Sequence, residues 1–185
     1  MNYRIVIRVI WLIFVLYWLA CARGNKRAVR KLNPGFRIPP ILGLIGLVLL
    51  FVAYPGFFRQ QLYARTTAVE TTGIVLCLLG VAFAIWARNI LGKNWSGVPQ
   101  IKENHELIQA GPYRLVRHPI YTGILLALFG TGFGFGRVQS LALFLFCFAA
   151  LWIKLKVEES LMSQQFPEAY PQYRNRTKAL IPYIL

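Results

Sequence analysis

Five apolar stretches constrain this chain more than anything else in it. They cover residues 5–21, 38–58, 71–87, 119–135 and 138–153; the last four carry no charge, and the first carries only Arg8. A helix that crosses a bilayer needs about 20 apolar residues, within a range of roughly 17–25. The second stretch meets that directly; the others reach it with a flanking residue or two, the last by running on to 157. Gly132, Gly134, Gly136 and Arg137 read as the turn of a tight helical hairpin. Pro39 and Pro119 stand where a first helical turn tolerates proline. The expected fold class is therefore an all-α membrane protein of about five transmembrane helices. Composition agrees, since 57% of the 185 residues are hydrophobic and only 15% are charged, against about 25% charged in soluble domains. Disorder is excluded by the same hydrophobicity. Cys21, Cys77 and Cys147 all lie in apolar runs and are odd in number, which excludes a disulfide-stapled secreted scaffold. The first stretch exceeds the usual apolar core of a signal peptide and no A-x-A site follows it. Leu19-Ala20-Cys21 faintly resembles a lipoprotein cleavage box, but Trp18 precedes it, so the stretch is read as a retained span.

The chain has 21 Lys+Arg against 6 Asp+Glu, a net charge of +15. Such an excess raises the question of nucleic acid, but position along the chain explains it differently. Of the 21 basic residues, 16 fall between spans one and two, between spans three and four, or after span five. The other five are Arg4, Arg8, Arg59, Arg65 and Arg137. The positive-inside rule then makes loops one and three and the C-terminal tail cytoplasmic. Membrane lipid, and no nucleic acid, is the expected partner.

Polar chemistry gathers in two of these segments, 88–118 and 154–185, which hold both histidines and five of the six glutamates. Lone domains below about 40 residues need staples, so neither segment folds by itself, and a site must be built from both together with the adjoining span ends. Two histidines and no aspartate argue against a metal centre. Gly130-x-Gly132-x-Gly134-x-Gly136 lies inside an apolar span and suits helix packing rather than a dinucleotide loop.

Gly111-Pro-Tyr-Arg, Arg117-His-Pro-x-Tyr121-x-Gly123, the Glu158-Glu159 pair and Tyr170-x-x-Tyr173-x-x-Arg176 ending in Pro182 stand in this order. Together they resemble the integral-membrane methyltransferases, which include isoprenylcysteine carboxyl methyltransferase, phospholipid N-methyltransferases and microbial relatives. The resemblance covers 88–185 and implies a single membrane domain over 1–185 with its catalytic region at 88–185. It further implies a methyl group taken from S-adenosylmethionine, bound in a C-terminal helical pocket at the cytoplasmic face. One departure is local: the family's closing segment often reads Arg-Val-Pro, whereas here Arg176-Thr177-Lys178 precedes a delayed Pro182.

Physical readings stand beside these implied roles. Arg117-His118-Pro119 enters the fourth span. A snorkelling arginine and a helix-starting proline account for two of the three, but not for His118, and a helix start also favours an anion such as the cofactor carboxylate. Gly111-Pro112 makes a turn through which backbone amides can approach the cofactor. Tyr113 and Tyr121 are interface aromatics or walls of an adenine pocket. Glu158 and Glu159 are costly at a membrane boundary unless partnered; Lys154 and Lys156 can pair with them along one helix, while the resemblance implies that a glutamate here holds the cofactor's amino group. Adjacent helix positions point about 100° apart, so at most one of the two faces a site squarely. Arg176 is either another cytoplasmic positive charge or a clamp for an acceptor carboxylate or phosphate. Tyr170 and Tyr173 are expected to pack the apolar side of their stretch, and Trp95 is an anchor or a substrate wall. His105 is read as a solvated loop residue.

The site expected is thus Arg176 and Glu159 as catalytic residues, with Gly111, Tyr113, Arg117, His118, Pro119, Tyr121, Glu158 and Glu159 on the cofactor. The acceptor is expected to be amphipathic or prenylated, with carboxyl O-methylation of an isoprenylcysteine-like group first. Phospholipid amines and small hydrophobic thiols are the alternatives, and a non-catalytic scaffold is the rival of another class. The setting is a multi-pass membrane protein with its site facing the cytoplasm, in a bacterial or archaeal inner membrane or the endoplasmic reticulum of a eukaryote.

Overall fold

The structure is a computed structural model that describes residues 2–21, 28–31, 38–95, 100–102 and 106–185. Among the described residues seven helices follow in order: α1 (Tyr3–Cys21), α2 (Ile38–Ala53), α3 (Pro55–Phe58), α4 (Thr67–Leu91), α5 (Pro119–Phe135), α6 (Val138–Gln165) and α7 (Ala169–Arg176). Two short strands, β1 (Ala28–Lys31) and β2 (Gln100–Lys102), pair antiparallel. That ribbon is a small departure from an all-α chain. It is a backbone pairing of two loops, which no apolar pattern announces. The basic residues Arg23, Lys26, Arg27 and Arg37, together with Ser96 and His105, lie outside the described residues.

Three helices, α1, α4 and α6, are long and apolar enough to cross a membrane. α2 and α5 are apolar but shorter. The expected span over 38–58 is interrupted at Tyr54, whose backbone (φ −124°, ψ 55°) leaves the helical region before Pro55. A residue ahead of proline is pushed out of the α conformation by the ring. α4 begins where the Thr66 hydroxyl accepts from Val69 N, with Glu70 in the first turn, and it closes with Arg88 in the last, the charge order that a helix dipole favours. α5 starts at Pro119 and stops at Gly136 in the left-handed region (φ 59°, ψ 35°), so the hairpin into α6 forms where expected. α6 is a 28-residue helix, about 42 Å long at 1.5 Å per residue. Its stretch to 157 is as long as the hydrocarbon thickness of about 30 Å, with two further turns after it.

α4 and α5 meet backbone to backbone. A Cβ added at Gly80 would lie 2.4 Å from Ala127 N and 2.5 Å from Gly123 O. One at Gly130 would lie 2.6 Å from Cys77 N. Small residues permit this approach in membrane helices, the packing role expected for the glycine run. Tyr3 seats α1 on the pair, its hydroxyl donating to Gly130 O (3.1 Å) and Thr131 O (2.7 Å). Around this seam lies one apolar core, with Ile7, Ile10, Phe14, Ile74 and Val81. A second, with Tyr113, Ile120, Leu125, Leu155 and Leu180, sits under the loop that precedes α5. By contrast α2 leaves Leu42, Leu49 and Val52 exposed at 60%, 62% and 72%, a surface suited to lipid rather than water.

The ends of the bundle are sorted. At one, β1 pairs with β2, and Val116 pairs with Lys178 through Arg117 N to Lys178 O (2.8 Å). Loops one and three and the tail therefore gather together. At the other end, Leu62 N donates to Gly136 O (2.8 Å) and Gln61 pairs with Arg137.

Candidate functional site

A cleft opens at the end where the tail and the long loops meet. It is a partly open cavity of about 140 Å³. Its walls come from four places: the end of α4 with Asn94 and Trp95, the loop of Glu106 to Ile108, the entry to α5 with Tyr113, Arg117, His118 and Tyr121, and the α6–α7 corner with Glu158, Met162, Tyr170 and Tyr173.

The entry to α5 is fixed by backbone and side chain alike. Gly111 takes a positive φ of 59°, which glycine adopts at no steric cost, and it opens a short 3-10 turn through Arg114. His118 N donates to Ala179 O (3.0 Å), continuing the pairing with the tail. Pro119 is fully buried at the first helical position. The Arg117 guanidinium, only 8% exposed, donates from Nε to Glu159 Oε1 (2.7 Å). Its Nη1 donates to Arg174 O (3.2 Å) and Thr177 O. A planar fork suits such a three-way contact. One residue thus ties α5, α6 and the tail.

The two glutamates divide. Glu159 is 7% exposed and lies behind the cleft wall. Burial pushes its carboxyl up, but His118 and Arg117 outweigh this and hold it at about 2, against an ordinary 4.5. It is therefore a carboxylate at neutral pH. Glu158 is 21% exposed and faces the cleft. It accepts from Tyr121 Oη at 2.7 Å on both oxygens, and Lys154 Nζ stands 3.9 Å away. The Lys154–Glu158 pairing matches the along-helix expectation. Lys156 instead lies over the Trp152 ring at 4.7 Å, leaving Glu159 to Arg117. His118 stands between the two, Nδ1 3.7 Å from Glu158 and Nε2 3.5 Å from Glu159, its ring parallel to that of Tyr121.

Aromatic residues complete the cleft. Tyr173 Oη donates to Tyr113 O (2.7 Å). Burial raises the hydroxyls of Tyr113 and Tyr170 and pushes that of Tyr173 up to about 12, so all three stay protonated donors at neutral pH. Trp95 lines the cleft, packs edge-on against Trp18, and has the Arg88 guanidinium 4.8 Å above its ring. Two buried polar atoms in this wall have no hydrogen-bond partner among the described residues, Asn94 Oδ1 and Tyr170 Oη, whereas His118 Nε2 is turned to Glu159. Buried polar groups are almost always satisfied, so two orphans in one cleft suit a polar ligand.

Of the expected residues, Tyr113, Arg117, His118, Tyr121 and Glu158 line the cleft. Gly111 and Pro119 shape its backbone, and Glu159 supports it. Arg176 stands elsewhere: it is exposed and borders a separate depression with Arg114, Arg174 and Lys178. Sequence reasoning missed Asn94, Met162 and Ile108. Met162 is four residues past Glu158, so it follows once α6 is known to continue; the other two carry no signal.

Comparison with known proteins points the same way. The family description "Phospholipid methyltransferase" matches residues 69–169. The chain is 31% identical over 160 residues to the cobalt-zinc-cadmium resistance protein CzcN of Cupriavidus metallidurans, covering 86% of this chain and 69% of that one. It is 30% identical over 129 residues to the protein-S-isoprenylcysteine O-methyltransferase of Saccharomyces cerevisiae, covering 66% and 53%. To the enzyme of the same name from Schizosaccharomyces pombe it is 26% identical over 174 residues, covering 91% and 67%. The chain thus spans between about half and two thirds of the length of these relatives. With the profile matching more than half of the chain and enclosing the α5 entry and both glutamates, this protein belongs to the phospholipid methyltransferase family.

Proposed function

We propose that this protein transfers a methyl group from S-adenosylmethionine to an amphipathic acceptor at the membrane, at the cleft between α5, α6 and α7. The observation that carries the reading is the pair of buried polar atoms on Asn94 and Tyr170 that have no partner among the described residues, set beside a cleft-facing carboxylate on Glu158. The cofactor has matching groups: an ammonium for Glu158, a carboxylate for the helix start of α5, and an adenine for the aromatic wall of Trp95, Tyr113 and Tyr170. When bound it supplies an electrophilic methyl on sulfur. What this chain contributes is position and dryness, both recognised sources of rate. Tyr121 fixes Glu158 through one hydroxyl proton shared between the two carboxylate oxygens, and Glu159 acts through Arg117 to hold the tail wall in place.

Carboxyl O-methylation of an isoprenylcysteine-like acceptor is the reading preferred, supported by the two yeast relatives. A carboxylate is already ionised at neutral pH and asks for no general base. Methylation of a phospholipid amine is the second reading, favoured by the family description. Arg176 and its basic neighbours lie outside the cleft, and in this reading they meet an anionic part of either acceptor. In this reading the site faces the cytoplasm, with the basic loops and tail, and the apolar helices make five membrane crossings.

The test is isothermal titration of S-adenosylhomocysteine into the detergent-solubilised protein, with His118→Ala and Glu158→Gln alongside. Saturable binding that weakens in both variants supports the cofactor site. A folded protein that gives no heat with S-adenosylhomocysteine ends the enzyme reading and leaves a scaffold.

A further inference from the structure

Arg8 is the one charge inside the first apolar stretch, and nothing in the cleft uses it. A charged residue within a membrane helix is costly unless it is partnered. Arg4 lies one turn before it on the same face of α1, and both side chains are exposed. No carboxylate pairs with Arg4, Arg8 or Arg137 among the described residues.

These three arginines border one groove, between α1 on one side and the α5–α6 hairpin on the other. It is a sizeable open space of about 580 Å³. Its floor and far walls are apolar. Trp11 is held in place by its Nε1 donating to Thr131 Oγ1 (3.0 Å), and beyond it Leu12 and Val15 are exposed at 57% and 47%. From Arg4 to Val15 the groove follows α1 for about 16 Å at 1.5 Å per residue. No acid lines it. It is therefore polar and cationic at one end and greasy along the rest. Because α5 starts beside His118 in the cleft and ends at Phe135 in the groove, the two sites lie at opposite ends of the bundle. Three of the five basic residues assigned to this end converge here.

We propose that this groove holds an anionic phospholipid of the leaflet opposite the cleft, its phosphate between Arg4, Arg8 and Arg137 and an acyl chain along Trp11, Leu12 and Val15. The lipid phosphate supplies the partner that Arg8 lacks among the described residues, and the long stems of the arginines reach the headgroup level while their methylenes stay in the apolar zone. The proposal does not depend on the methyltransferase reading.

Phosphatidylglycerol is titrated into the detergent-solubilised full chain, and its adducts are counted by native mass spectrometry. Phosphatidylcholine and inorganic phosphate serve as parallel probes. Each arginine near an anionic headgroup is worth about fivefold in affinity, so Arg4→Gln/Arg8→Gln/Arg137→Gln should weaken the phosphatidylglycerol adduct roughly a hundredfold. The matching triple lysine variant keeps the charge and should retain most of the binding. S-adenosylhomocysteine affinity, read in the same samples, reports that each variant is folded if the cleft binds it, and near-parental thermal unfolding does so otherwise. Equal binding of phosphatidylcholine, a triple glutamine variant that keeps its adduct, or competition by millimolar inorganic phosphate alone would each overturn the lipid site.

Discussion

The adjacent carboxylates Glu158 and Glu159 should separate under isosteric substitution. Glu158 faces the cleft, and Glu159 is buried against Arg117 at 2.7 Å with both side chains under a tenth exposed. Glutamine at 158 keeps the shape and removes the charge that would meet the cofactor ammonium. A hydrogen bond to a charged partner contributes about 1.5–3 kcal/mol, so S-adenosylhomocysteine should bind roughly 10- to 150-fold more weakly, with little change in thermal stability. Glutamine at 159 instead leaves a buried guanidinium facing a neutral amide. Breaking a buried pair costs about 3–5 kcal/mol, and Gln can still accept from Arg117 Nε, so the lower end is expected. At about 2–4 °C per kcal/mol for a chain of this size, the melting temperature should fall by roughly 6–12 °C. Affinity, measured well below the new transition, should change far less than in Glu158→Gln. Differential scanning fluorimetry and isothermal titration on the same preparations read both quantities. Unchanged affinity in Glu158→Gln, or lost affinity at unchanged stability in Glu159→Gln, would refute this division of roles.

Other consequences are as open to measurement. The depressed Glu159 pKa means that its ion pair is fully present above pH 4.5 and lost as pH falls towards 2; the stability gap between the parent and Glu159→Gln should hold constant from pH 7 to 4.5 and narrow only below that, as read by melting curves. Tyr173→Phe removes the 2.7 Å bond to Tyr113 O and should cost about 1 kcal/mol, with weaker S-adenosylhomocysteine binding as the wall loosens. Gly80→Val drives a side chain into the Ala127 and Gly123 backbone and should cost 3 kcal/mol or more, whereas Gly46→Ala, with nothing within 4 Å, should express and melt as the parent does.

Hydrophobic runs located the main helices because lipid accepts little else along their length. They misplaced ends wherever helix formation and apolarity part. α4 outruns its window by a turn at each end, since Thr67, Glu70 and Arg88 carry a helix on without being apolar. α6 likewise continues through Lys154, Lys156 and the glutamates, all good helix formers, and this brings Met162 to the cleft. Pro55 cut the second window for the opposite reason, being apolar in composition and disruptive in backbone. At the site, motif order pointed to His118, Tyr113 and Glu158, which do meet. The partner of Glu159 could not be read from spacing along one helix, because Arg117 arrives from a segment 42 residues earlier. Asn94 becomes recognisable only when its carbonyl oxygen is found buried and unpartnered.

The α4–α5 seam restricts how this chain can drift. Where two helices pack through side chains, one position can grow as its neighbour shrinks, and a lineage can wander through many pairs of residues. At Gly80 the neighbouring atoms are Ala127 N and Gly123 O, which every amino acid carries and none can make smaller. No second mutation in the facing helix compensates for a first one there. Positions such as Leu49 and Val52, turned outward on α2, can exchange among apolar residues at little cost. The rigid scaffold behind the cleft is thus written in the least editable letters of the sequence, and its lipid-facing surface in the most editable.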